Sequence, residues 1–166
     1  MSRSLYKVPN GVLETARELG FGKSEIRIVP GWQAVKIVDR FVERFARNGK
    51  RWGYPHWIWE VLAEPRFGLP WSEDLKPLLK LGSPEMPIWL IVEDNSDYKK
   101  GAPFWLFETT LPVAVETLMN HSYIEFYICS KDFSWMIGQN HHDFLFASGD
   151  HSIAFLEGLQ KETEAI

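Results

Sequence analysis

Cysteine is all but missing from this chain of 166 residues, in which Cys129 stands alone. A single thiol excludes an intrachain disulfide and favours a reducing compartment. Long apolar runs are missing as well. The longest, Ile88-Trp89-Leu90-Ile91-Val92, is far short of the roughly 20 residues that cross a bilayer. The opening stretch, Met1-Ser2-Arg3-Ser4-Leu5-Tyr6-Lys7, lacks the apolar core of a signal peptide. These gaps set the expectation of a cytoplasmic protein with no membrane partner. Repeats, low-complexity tracts and linkers are also lacking, which at this length implies one domain over 1–166.

The familiar catalytic signatures are absent too. There is no G-x-x-x-x-G-K-[ST] loop, no G-x-G-x-x-G after a strand and no G-x-S-x-G elbow. Cys129 follows Ile128 in an apolar stretch and reads as a small buried hydrophobe rather than a nucleophile. These absences move the reading away from an enzyme, and no cofactor or metal is expected.

What the chain does have is aromatic mass, with eight Trp, eleven Phe and five Tyr. Its 24% charged and 45% hydrophobic content are globular values. The net charge of −4 is unevenly spread: residues 1–51 carry eleven Lys/Arg against five Asp/Glu, and the remainder reverses the sign. Both halves are expected to interleave on one surface.

Periodicity places helices over 11–19, capped by Asn10 and closed by Gly20 and Gly22, and over 32–47. In the second, Ala34, Val35, Val38, Phe41, Val42 and Phe45 share one face. A strand is expected over 24–29 and a short helix over 55–63. Another helix begins after a Ser72 cap and runs to Gly82, shortened or kinked by Pro77. Strands over 88–92 and 104–107 form an antiparallel hairpin around a polar loop at 95–101. A helix over 112–120, strands over 123–129 and 133–137, and a helix over 151–162 complete the pattern. The fold class is α+β, a mostly antiparallel sheet from the C-terminal half packed against an N-terminal helical layer.

Four constellations carry the functional reading. Gln139-Asn140-His141-His142-Asp143 is followed by Asp150-His151, so His141, Asp143 and His151 could offer an N/N/O metal set. Adjacent histidines diverge in regular structure, however, and a turn whose polar groups bind backbone is the favoured account. It predicts one histidine ring buried against Phe144 or Phe146. Glu93 and Glu108 sit at the far ends of an antiparallel hairpin and do not converge as a carboxylate pair; were Glu93 to approach His142, it could orient a ring nitrogen for general-base work. Lys36, Arg40, Arg44 and Arg47 form a basic stripe beside Trp52, Tyr54 and Trp57 that could bind phosphate and stack a base. With Asp39 and Glu43 interspersed, a solvated face with i, i+4 contacts is favoured over nucleic acid. Trp52, Tyr54, Trp57, Trp59 and Trp71 fall among Pro and Gly, and they are the candidate binding residues for a protein partner. At least two of these four tryptophans are expected to be exposed.

Leu69-Pro70-Trp71-Ser72-Glu73-Asp74-Leu75-Lys76-Pro77-Leu78-Leu79-Lys80-Leu81-Gly82 resembles the leucine-proline, acidic, short-helix segment of the SUKH superfamily. That resemblance implies a small α+β protein of the kind that binds and neutralises toxin domains. The sequence departs from the pattern after Gly82, where Ser83-Pro84-Glu85-Met86-Pro87 runs straight into a strand. The later part, from Trp89-Leu90-Ile91-Val92-Glu93-Asp94 to the paired histidines, is similar to an uncharacterised bacterial family of unknown function. Together these readings describe a non-enzymatic cytoplasmic binding protein of immunity type. The alternative is a small metal-binding protein or hydrolase built on His141, His142, Asp143 and His151.

Overall fold

The strongest helical pattern in the chain becomes its second helix. In the computed structural model, which describes residues 7–94, 102–122 and 124–165, α1 spans Lys7–Glu18 and α2 spans Gly31–Phe45. The polar loop expected at 95–101 lies outside the described residues, as does Tyr123, the expected first residue of a strand. Helix α1 starts earlier than Asn10, with Pro9 in its first turn. It ends as the glycines predict. Gly20 takes φ of 92°, Gly20 N donates to Arg17 O, and Phe21 N donates to Ala16 O. This is the Schellman closure that only a residue tolerant of positive φ makes easily. Helix α2 buries Val38, Phe41, Val42 and Phe45, while Val35 is off the stripe and 46% exposed.

The described residues form seven strands: β1 (Arg27–Ile28), β2 (Arg66–Pro70), β3 (Pro87–Glu93), β4 (Phe104–Thr110), β5 (Phe126–Ser130), β6 (Met136–Asn140) and β7 (Phe144–Ser148). They form one sheet in the order β1-β4-β3-β5-β6-β7-β2, antiparallel at every junction. Helices α3 (Leu111–Asn120) and α4 (Asp150–Glu164) complete the α+β fold.

The sheet is covered on both faces, the N-terminal helices being joined there by α3 and α4. Ile88, Leu90 and Val92 point with Phe107, Ile128 and Ile137 into a layer shared with α1, α3 and α4. Ile91, Leu106, Tyr127 and Met136 point into a second layer under α2 and a 3-10 turn at Ile58–Val61. The reason lies in the central strands: β3 and β5 carry apolar side chains on both faces, so both must be shielded from water.

Local corrections share a cause in loop chemistry. The helix expected over 55–63 is a 3-10 turn, and the one after Ser72 is a 3-10 helix at Lys76–Leu81. Asp74 rather than Ser72 accepts from the chain there, its Oδ1 taking the Lys76 N–H at 2.9 Å. Phe133, expected in a strand, has φ of 59° in the β5–β6 turn, so β6 starts at Met136. Ser130 Oγ fixes that turn by accepting from Ser134 N and Trp135 N.

Candidate functional site

The histidine pair stands at the tip of the β6–β7 hairpin. Asn140 ends β6 with its side chain buried, and its Oδ1 accepts from His142 N at 3.0 Å and Phe144 N at 3.3 Å. Asp143 N donates to Asn140 O, and Asp143 takes φ of 52°, a conformation Asn and Asp tolerate best among residues bearing a side chain. Trp71 N then donates to Asp143 O at 2.6 Å, tying the turn to the end of β2. The turn is therefore bound by backbone and amide groups.

Its imidazoles face outward. Both His141 and His142 are exposed, and neither is buried against Phe144 or Phe146 as expected. The turn residues send the two rings over Trp57 and over Trp59 of the Ile58–Val61 turn. His141 lies 5.5 Å from the Trp57 ring and 6.0 Å from Trp59, and His142 meets Trp59 edge-on at 5.9 Å. Trp57 and Trp59 stack at 5.9 Å, with the His56 ring 4.5 Å from Trp57.

Beneath them runs a chain of carboxyls that reaches the core. His141 Nδ1 is hydrogen-bonded to Glu125 Oε1, which also accepts from His141 N at 3.1 Å. Because β5 pairs with β3, Glu125 stands directly beside Glu93, whose N–H donates to Glu125 O. Glu93 is buried, and its Oε1 accepts from Tyr127 Oη at 2.6 Å and Ile58 N at 3.1 Å. Burial pushes the Glu93 carboxyl up to about 8, and its hydrogen bond and like charge with Glu125 add to this against the opposing bonds from Tyr127 and Ile58. At neutral pH Glu93 is thus largely protonated. By holding Ile58 N–H it also fixes where Trp57 and Trp59 stand. Glu93 meets Glu125 and not His142, so Glu125 is the carboxylate that orients an imidazole.

This hairpin forms one wall of a cleft of about 520 Å³. Trp59, His142, Phe144, Phe146 and Phe67 line it, with Arg66 contributing the cation. Gly68 lets the Phe144 ring pack directly on β2, since a Cβ there would come within 2.4 Å of Phe144 Cε1. The Trp59 indole nitrogen is buried without a hydrogen-bond partner.

The other expected site residues are scattered. Trp52 is 79% exposed but lies beside Arg51, away from the cleft lining. Trp57 and Trp59 are half-buried, and Tyr54 is half-buried with its hydroxyl donating to Asp39 Oδ1. Trp71 is only 7% exposed, with its indole N–H on Asp74 O, and belongs to the core rather than to a partner surface. His151 sits in the first turn of α4, its Nε2 on Leu81 O at 2.6 Å and its ring against Trp135. The set His141, His142, Asp143 and His151 is therefore not brought together, and no group of three or more His, Cys, Asp or Glu converges as metal ligands among the described residues.

Sequence reasoning missed Arg66, Phe67, Gly68 and Glu125. The first three belong to β2, which was hidden among prolines and glycines. Glu125 falls within the strand expected over 123–129, and its meeting with Glu93 follows only once β5 is placed beside β3.

No helix among the described residues is long and apolar enough to cross a membrane. No curated protein and no solved structure matches the chain. Its match is not to the SUKH-type proteins that residues 69–82 resemble. Residues 12–160 match the model described as "Family of unknown function (DUF6756)", and the chain belongs to that family.

Proposed function

We propose that this chain is a binding protein whose partner, another protein, places an apolar side chain in the cleft between the Trp57–Trp59 segment and strands β2 and β7. The observation that carries this is the cleft itself: aromatic walls, one guanidinium at Arg66, and the Phe144 ring seated on Gly68. Concave, mostly apolar sites with a few polar groups are the usual form of a recognition pocket, and aromatic side chains with Arg dominate interface energetics. The finer reading, a toxin-neutralising immunity protein, is supported by the resemblance of residues 69–82. A cytoplasmic location is supported by the free, buried thiol of Cys129.

The test compares wild-type chain with a Gly68→Leu variant, whose side chain displaces the Phe144 wall of the cleft, in co-purification from native cells. A stoichiometric protein partner retained by the wild type and lost by the variant is expected, with circular dichroism showing both folded. A partner held equally by both, or no stoichiometric partner, would defeat the reading.

A second reading, acid–base chemistry at His141, is favoured by one observation. A carboxylate, Glu125, grips Nδ1 while a largely protonated Glu93 backs it. That arrangement orients an imidazole for proton transfer. Hydrolysis of p-nitrophenyl acetate or bis-p-nitrophenyl phosphate, abolished in folded His141→Ala and Glu125→Gln variants, would promote this reading over the first.

A further inference from the structure

The outer face of α2 carries more free positive charge than its sequence suggests. Asp39 and Glu43 were expected to pair with helix cations at i, i+4. Both are instead engaged by the loop after the helix. Asp39 Oδ1 takes Lys50 Nζ at 2.7 Å and the Tyr54 hydroxyl, and Glu43 Oε1 accepts Lys50 N at 3.0 Å. The Glu43 carboxylate is folded over Gly49, where φ is 50° and an added Cβ would meet Oε2 at 2.3 Å. As a result Lys36, Arg40, Arg44 and Arg47 are all exposed and make no ion pair among the described residues.

Two indoles flank this stripe. Trp32, in the first turn of α2, is 67% exposed with Lys36 Nζ 5.4 Å from its ring, and Trp52, beyond the helix, is 79% exposed with Arg51 at 5.2 Å. Each exposed ring thus has a cation at its side. Trp52 lies between Lys50 and Tyr54, both of which reach Asp39 midway along α2, so the loop brings its ring back beside the helix while Trp32 stands at the helix start.

We infer that the outer face of α2 binds single-stranded nucleic acid, its cations tracking the phosphates while Trp32 and Trp52 stack bases. Sequence-tolerant strand binding combines these two elements. An anionic membrane fits less well, because a helix lying in a bilayer interface inserts its apolar face. That face of α2 is committed to the core through Val38, Phe41, Val42 and Phe45. An acidic protein also fits less well: interface hot spots gather at the centre of a desolvated patch, whereas each of these indoles is exposed with a cation at its side. The inference does not rest on the cleft, which uses other residues.

The experiment measures fluorescence anisotropy of a labelled oligothymidylate of about 20 nucleotides, with tryptophan quenching followed in parallel. Duplex of equal length and vesicles containing phosphatidylglycerol are run alongside. Binding with quenching is expected, weakening roughly 100-fold between about 50 and 200 mM salt if some five phosphates are neutralised. Trp32→Ala and Trp52→Ala, at exposed positions that spare the fold, should each weaken binding about fivefold or more with little change in the salt slope. An Arg40→Ala, Arg44→Ala double variant should flatten that slope, and Gly68→Leu should leave binding intact. Absence of binding at low salt, preference for duplex or vesicles, or indole variants that bind like wild type would each overturn the inference.

Discussion

Glu93 and Glu108 are the same residue type in one hairpin, on the same face of the sheet, and their surroundings drive them in opposite directions. Glu108 stands opposite Trp89, four residues along β3 from Glu93. It is half-buried, with Lys131 Nζ at 2.7 Å and Arg27 at 3.2 Å, and those cations hold its carboxyl below the usual range against some burial. Glu93 is buried with a second carboxyl beside it and is pushed up to about 8. Both lie in strands of one hairpin and on one face, so neighbours and access to water make the difference. One end of the hairpin carries fixed charge. The other stores a proton beneath the aromatic wall of the cleft.

The largest expected effect is on the pH dependence of stability. A buried carboxyl whose folded value is raised from 4.5 to about 8 makes its full contribution at pH below the unfolded value and loses it as pH rises through the folded one. The wild type should therefore lose on the order of 2–4 kcal/mol between about pH 5 and 9 on this account. Glu93→Gln keeps the shape and an acceptor oxygen, and should flatten that decline in urea titrations across the range. An unchanged slope would show that Glu93 is ionised in the folded protein and that the contrast with Glu108 is false.

Tyr127→Phe comes next. It removes the phenolic donor at 2.6 Å from Glu93 Oε1 while keeping the ring packed against Phe41 and Phe146. A buried acceptor deprived of one donor costs about 1–2 kcal/mol. Since the Tyr127 bond favours the ionised form, its loss should also move the Glu93 transition to higher pH. A variant whose stability and pH midpoint both match the wild type would mean that the phenol and carboxyl do not interact.

His141→Ala has a smaller expected effect. The ring is exposed, but its partner Glu125 is 11% exposed and would lose a hydrogen bond, at a cost of about 1 kcal/mol. Differential scanning calorimetry at neutral pH should register it. A wild-type melting temperature would confine the imidazole to function, as the acid–base reading of the hairpin holds.

Much of this contrast was legible in the chain, and what was missing has a physical cause. The β3–β4 hairpin and the separation of its two glutamates follow from alternation and antiparallel geometry, which are local. So do α2 and its buried stripe of Val38, Phe41, Val42 and Phe45. The meeting of Glu93 with Glu125 depends on β5 crossing to pair with β3 on the side away from β4, a non-local choice that no local periodicity encodes. The same holds for the cleft, which needs β2 hydrogen-bonded to β7 across more than seventy residues of chain. Trp71 shows the converse error. Its Pro-rich neighbourhood suggests a surface loop, yet β2 carries it into the core beside Leu69, Leu75 and Leu78. The histidine turn was half legible: Asn140 and Asp143 announce a backbone-bound turn, but that its two rings lie over Trp57 and Trp59, far away in sequence, does not follow from local pattern.

The smallest expected effect tests the other end of the hairpin. Lys131→Met removes the closer cation from Glu108 and leaves a side chain of similar length to lie against Trp89, whose ring centre is 3.0 Å from Lys131 Nζ. The Lys131 and Glu108 side chains are 29% and 32% exposed, so water and salt screen the pair. After that discount the loss is about 0.5 kcal/mol at neutral pH. Its sign with pH is opposite to that of Glu93. A depressed carboxyl contributes above its unfolded value and loses that contribution as pH falls through the folded one. The difference between variant and wild type should therefore be present at pH 7, shrink below about pH 4, and shrink also in about 1 M salt. Paired urea titrations at neutral and acid pH, each at low and high salt, would show it. A loss that persists in acid and salt would assign the role of Lys131 to packing on Trp89, and the depression of Glu108 would then rest on Arg27.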